Sequence, residues 1–188
     1  MDAFLISFGI IFVAELGDKS QLMAMTFATR YRAVTILAAI TVATAIVHLF
    51  SVAVGAAIGT ALPTDAISIV AGLAFFGFAA WTIRGDELDD DEAGRAARGG
   101  RSVFFTVGLA FFLAELGDKT MLATITLATD HGVFGTWIGS TLGMVAADAL
   151  AIVVGQQLGA RLPERTVKIG AAVTFVVFGI LLIVDGLS

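Results

Sequence analysis

Glu15-Leu16-Gly17-Asp18-Lys19-Ser20 is repeated 100 residues later as Glu115-Leu116-Gly117-Asp118-Lys119-Thr120, each copy in the middle of an apolar run. An ionised side chain held in hydrocarbon costs on the order of 2.5–3.5 kcal/mol by insertion scales, and such residues face a bundle interior or a water-filled cavity where they handle ions or protons. Two matching sets point to one site built from two halves. On a continuous helix Glu15 and Asp18 share a face with Lys19 one turn from Glu15, and Phe8, Ile11, Leu22 and Thr26 continue that stripe. Gly17 and Gly117 allow either a close backbone approach or a local unwinding that frees carbonyl oxygens as further ligands. The sequence leaves both geometries open.

With every motif group ionised, four carboxylates and two ammonium groups leave about −2, which a divalent cation would neutralise. Carboxylate, hydroxyl, amide and carbonyl oxygens suit the hard ions Ca²⁺, Mg²⁺ and Mn²⁺, and no Cys- or His-rich cage for zinc or copper is present. Without metal the same carboxylates repel one another in a low dielectric, so protons and metal compete for the same oxygens. That competition is the minimal physics of cation/proton antiport. The alternative is a set of buried ion pairs that only lock the halves together, but such pairs seldom repay their desolvation. Lys19 and Lys119 keep two readings, as clamps for the carboxylates or as internal counter-cations that metal displaces.

Further polar residues surround the motifs. His48 and Asp148 occupy equivalent positions, on stripes with Thr41, Thr44 and Gly55 and with Thr141, Met144 and Gly155 respectively. Each reads as a proton relay or an outer ligand, or else as a polar group bonded to a neighbouring helix. Ser20, Gln21 and Thr120 offer oxygen ligands or back-bonds to their own helices. Met23, Met25, Met121 and Met144 are candidate soft ligands favouring Mn²⁺, although methionines at such positions are more often packing. His131 falls in a turn and reads as solvated.

The elements that must hold these residues are six apolar runs, each about 20 residues or more and so long enough to cross ~30 Å of hydrocarbon. They fall near Ala3–Ala28, Ala33–Thr60, Asp65–Ile83, Ser102–Ala128, Val133–Gly159 and Thr166–Leu187. Hydrophobic residues make up 58% of the 188 and charged residues 14%, the balance of an integral membrane protein rather than a soluble domain. An all-α, polytopic fold follows, because an open sheet cannot satisfy its backbone in lipid. The halves match without a gap: Gly55, Gly59, Leu62 and Pro63 recur as Gly155, Gly159, Leu162 and Pro163, and Phe75 and Phe78 as Phe175 and Phe178. We expect a three-helix repeat over 1–83, a charged linker over 84–101 and a second three-helix repeat over 102–188. Three spans per half invert the second repeat relative to the first.

Of the eleven Lys and Arg residues, two lie in the motifs. The rest (Arg30, Arg32, Arg84, Arg95, Arg98, Arg101, Arg161, Arg165 and Lys168) fall on one face of a six-span arrangement. The positive-inside rule makes that face cytoplasmic, with both termini outside the cell membrane. The acidic run Asp86–Glu92 supplies much of the net charge of −5 and reads as solvated linker. Asp2 stands where a cleavable signal peptide would be basic, so none is expected. No cysteine is present, hence neither disulfides nor thiolate chemistry. Gly55-x-x-x-Gly59, Gly155-x-x-x-Gly159 and Gly135-x-x-x-Gly139-x-x-x-Gly143 mark close helix contacts, within the monomer or across a homodimer face.

The doubled E-x-G-D-[KR]-[ST] pattern, one copy on the first helix of each half, resembles the family of Golgi calcium/manganese transporters, chloroplast manganese transporters and prokaryotic manganese exporters. More distantly it is similar to the lysine-exporter superfamily. The resemblance covers essentially the whole chain and both motif copies fit it. It implies a six-span secondary transporter exchanging Mn²⁺ or Ca²⁺ for protons. The expected metal ligands are Glu15, Asp18, Glu115 and Asp118, supported by Lys19, Ser20, Gln21, Lys119, Thr120, His48 and Asp148. The metal is substrate rather than cofactor, no cofactor is expected, and the partners are the cation, protons and the bilayer, with no nucleic acid. An amino-acid exporter and a membrane-embedded acid/base enzyme are the competing readings. Against the enzyme, no HExxH or GxSxG arrangement occurs, and no P-loop would drive pumping by ATP.

Overall fold

The structure, a computed structural model, describes residues 2–28, 31–61, 63–84, 103–158 and 164–187. Every regular element among them is helical: α1 (Asp2–Glu15), α2 (Lys19–Ala28), α3 (Ala33–Ala61), α4 (Thr64–Arg84), α5 (Val103–Glu115), α6 (Lys119–Asp130), α7 (Val133–Leu158) and α8 (Glu164–Leu187). The helices coincide with the apolar runs and stop where polar or helix-breaking residues interrupt them, at Arg32, Pro63 and Gly132. Apart from Arg84, the linker expected over 84–101 lies outside the described residues.

The first and fourth runs are each broken in two. Between α1 and α2 the chain turns through Leu16, Gly17 and Asp18, and between α5 and α6 through Leu116, Gly117 and Asp118. Gly17 and Gly117 have φ of 76° and 79°, the left-handed region that a residue with a Cβ enters only at a cost. In each turn the aspartate N–H donates to the carbonyl of the glutamate three residues earlier, at 3.1 Å in the first and 3.2 Å in the second. Of the two geometries the sequence allowed, the chain adopts the unwound one. The break also overturns one expectation. The stripe expected to run from Glu15 through Leu22 to Thr26 does not continue, because the turn re-aims α2 and leaves Thr26 exposed, back-bonded to the Leu22 carbonyl.

Packing joins the halves rather than separating them. α1 lies along α7, α3 against α5, α6 and α7, and α4 along α8. Small residues make these approaches close. A methyl group added at Gly139 would stand 2.4 Å from the Phe4 carbonyl oxygen, and one at Gly143 would stand 2.6 Å from that of Phe8. Gly55 and Gly59 meet the Ile125 and Thr129 carbonyl oxygens in the same way, at 2.3 and 2.4 Å. Gly55, Gly59, Gly139 and Gly143 thus make close contacts within the monomer. Residues 100 apart also touch: Thr44 Oγ1 donates to Met144 Sδ at 3.2 Å, and the Phe75 and Phe175 rings lie 5.7 Å apart.

The bundle buries a group of charged side chains within an apolar core and presents an apolar exterior. Glu15, Asp18, Glu115, Asp118, Lys119 and Asp148 are buried, while Leu5, Val34, Phe50, Phe105, Leu181 and Val184 face outward. A surface of that kind is matched to lipid, not water. Among the described residues, Ala33–Ala61 and Val133–Val154 are each long and apolar enough to cross a membrane as single helices.

A candidate cation site between two broken helices

Each break delivers the motif residues to the interior. Glu15 is the last residue of α1 and Glu115 the last of α5, both fully buried. The C-terminal end of a helix carries partial negative charge, so a carboxylate there deepens a negative potential instead of relieving one. A helix end of this composition calls for a cation. Asp18 and Asp118 follow at the head of the next helix, where the dipole favours an acid, and both are buried.

The hydroxyl of each motif serves the glutamate of the same motif. Ser20 donates to Glu15 Oε1 and lies 3.4 Å from Asp18 Oδ2, while Thr120 donates to Glu115 Oε2 at 2.9 Å. Each glutamate therefore has one oxygen pinned. The other, Oε2 of Glu15 and Oε1 of Glu115, has no hydrogen-bond partner among the described residues. Buried acceptors left in this way need an explanation, and an ion or a proton supplies one.

The two motifs engage each other. Lys119 forms an ion pair with Asp18 across the halves. The charges of Glu115, Asp18 and Asp148 all act on Glu15, and those of Asp118, Asp18 and Asp148 on Glu115, so five carboxylates belong to one electrostatic unit. Asp148, expected only as a supporting residue, stands inside that unit with neither oxygen bonded among the described residues. No three of the described acidic or imidazole groups are already drawn in to metal-ligand spacing. The ammonium of Lys119 stands among the carboxylates.

The remaining predicted residues divide. His48 is fully buried and neither ring nitrogen is bonded among the described residues. The side chain of Lys19 lies outside the described ones, although its backbone opens α2. Gln21 has a role its residue type did not disclose. Its Oε1 accepts the Gly17 N–H at 2.8 Å and its Nε2 donates to the Ala147 carbonyl at 2.9 Å, so it caps the first break and ties it to α7 beside Asp148. At the second break Met121 Sδ takes the Gly117 N–H at 3.2 Å, and a thioether has no donor with which to make a second tie. Of the methionines considered as soft ligands, Met144 is buried in an apolar cluster with Ile10, Ile11 and Leu127 and accepts from Thr44. The His131 ring is half-buried rather than fully solvated, its Nδ1 lying 3.2 Å from the Leu127 carbonyl oxygen, and its backbone N–H closes α6 on the same carbonyl at 3.0 Å.

An acid-rich, hydroxyl-supported site at two helix breaks, inside a bundle with an apolar exterior, is the equipment of a secondary cation transporter. Residues 3–90 and 103–188 match the model of the family described as the divalent cation/proton antiporter GDT1, and the chain belongs to that family. It is 32% identical over 171 residues to a proposed manganese exporter of Vibrio cholerae, covering 89% of this chain and 84% of that one. It is 30% identical to a GDT1-like protein of Synechocystis over 96% of each chain. With a chloroplastic GDT1-like protein of rice it shares 31% identity over 94% of its own length and 59% of the rice protein's. No solved structure matches the chain.

Proposed function

We propose that this antiporter exports Mn²⁺ from the cytoplasm in exchange for protons, with Ca²⁺ as a second substrate, through a site made of Glu15, Asp18, Glu115 and Asp118. Ser20 and Thr120 orient the glutamates, and Asp148 adds a carboxylate from α7. In this reading the chain crosses the cell membrane six times as two inverted repeats, 1–83 and 102–188. Both termini lie outside and the 84–101 linker is cytoplasmic. The ranking of Mn²⁺ over Ca²⁺ draws on the likeness to the Vibrio protein.

The observation that carries the proposal is the pair of broken helices, each ending in a buried glutamate with one oxygen unbonded among the described residues. Contacts between residues 100 apart, Thr44 with Met144 and Phe75 with Phe175, support a two-fold axis through the middle of the bundle. Inverted repeats are related by an axis of that kind, and their transport sites lie on it near the bilayer midplane. When metal leaves, the carboxylates it neutralised are again crowded in a low dielectric and take protons instead, which couples the two flows.

The test is uptake of Mn²⁺ and Ca²⁺ into proteoliposomes holding the purified chain, with and without an imposed proton gradient. Exchange requires metal to accumulate against its own gradient when protons flow the other way, and to reverse when the proton gradient is reversed. Flow that is only downhill and indifferent to the proton gradient would mean a channel.

A further inference from the structure

We propose that the ammonium of Lys119 is a tethered resident cation that competes with the transported metal for Asp18 and Glu15, setting both how tightly the carrier holds metal and how fast it lets go. The inference rests on the cation site proposed above and concerns a residue outside its ligand set.

Lys119 is 3% exposed and is the first residue of α6. A cation there faces the positive end of its own helix, so α6 does not hold it in place. The carboxylates do. The ammonium is bonded to Asp18 of the other half, and the charges of Glu15 and Asp118 also act on it. It stands among the oxygens a divalent ion would need, and an ammonium and a divalent ion brought to the same carboxylate in a low dielectric repel each other. The four-carbon stem of lysine lets the head swing aside while the backbone stays fixed at the break. Metal entry then displaces the ammonium from Asp18, and the returning ammonium helps to expel the metal on the far side. A lysine that served only to brace α6 against the first break would have a different signature, because its removal would loosen the site for metal as well.

The discriminating variant is Lys119→Gln, studied as the full chain in detergent and in proteoliposomes with Mn²⁺ as probe. Calorimetry should show Mn²⁺ binding roughly tenfold tighter than in the native chain. Proteoliposome uptake should show a lower KM together with a lower maximal rate, since release slows. Lys119→Arg, which keeps the charge, should bind Mn²⁺ close to the native strength. Unchanged or weaker binding by a folded Lys119→Gln chain overturns the proposal, as does equal tightening in both variants. Should Lys119→Gln not fold, a structure of the native chain with Mn²⁺ bound decides. The Lys119–Asp18 pair must be parted in it, and an intact pair overturns the inference. A native chain that binds neither Mn²⁺ nor Ca²⁺ would instead defeat the underlying cation site.

Discussion

Glu15 and Glu115 are the residues at which stability and function pull in opposite directions. Each is fully buried with one oxygen unbonded among the described residues, close to further carboxylates. Burial of a charge without full compensation destabilises a fold. Replacing either by glutamine keeps the shape, removes the repulsion and supplies an N–H₂ that neighbouring carboxylates can accept. Glu15→Gln and Glu115→Gln should therefore raise the melting temperature by about 2–4 °C, the shift that ~1 kcal/mol gives in a chain of this size. Transport should fall at least roughly a hundredfold, because an amide can neither neutralise the metal nor take up a proton. Thermal unfolding and proteoliposome uptake on the same preparations check both halves of the claim. Normal transport in both single variants would remove the glutamates from the site.

At the scale of the element, the breaks are the feature on which the site depends. Gly117 has φ of 79° and nothing within 4 Å of where a Cβ would sit, so a substitution there probes backbone strain without crowding. Gly117→Ala should cost about 1–2 kcal/mol, seen as a lower melting temperature, and transport should drop as α5 and α6 tend to straighten into one helix. Gly9→Ala is the control, an uncrowded position inside α1 where alanine should be neutral or slightly stabilising. Equal effects at both positions would deny the break a special role. Gln21→Leu should weaken the first break by a similar amount, about 1–3 kcal/mol, since the Gly17 N–H and the Ala147 carbonyl lose their partner.

Much of this architecture was legible in the sequence. The helices follow apolar runs punctuated by Arg32, Pro63 and Gly132, and the small-residue motifs at Gly55 and Gly139 mark where backbones meet. A glycine in the middle of each motif announced that a break was open to the chain. What holds the first break has no local signal: the Gln21 side chain takes the Gly17 N–H and reaches α7, a partner more than a hundred residues away in sequence. Neither the Lys119–Asp18 pairing nor the capture of Asp148 by the acid cluster has a local signal, because both depend on how one half meets the other. The stripe through Leu22 and Thr26 failed because it was drawn on a helix that does not continue past Glu15.

The whole molecule raises the question of orientation in the membrane, which the site alone does not answer because its two halves are nearly equivalent. Orientation has to come from the asymmetry of charge outside the hydrocarbon. Nine of the eleven basic residues lie outside the motifs, and in the proposed six-span arrangement they fall on the face of the 84–101 linker, with the turn at Gly132 on the opposite face. Basic loops are retained in the cytoplasm, and acidic residues such as Asp89–Asp91 contribute little to that bias. In the proposed orientation, exported metal leaves on the side of the Gly132 turn and protons enter there. The chain has no cysteine, so one can be introduced at a time without background. A cysteine at Ala93 should be shielded from an impermeant thiol reagent in intact cells and become reactive once the membrane is opened. At Gly132, where nothing lies within 4 Å of an added Cβ, a cysteine should react in intact cells from the start. The reverse pattern would overturn the proposed orientation and place the 84–101 linker outside, while the direction of exchange would still follow the proton gradient.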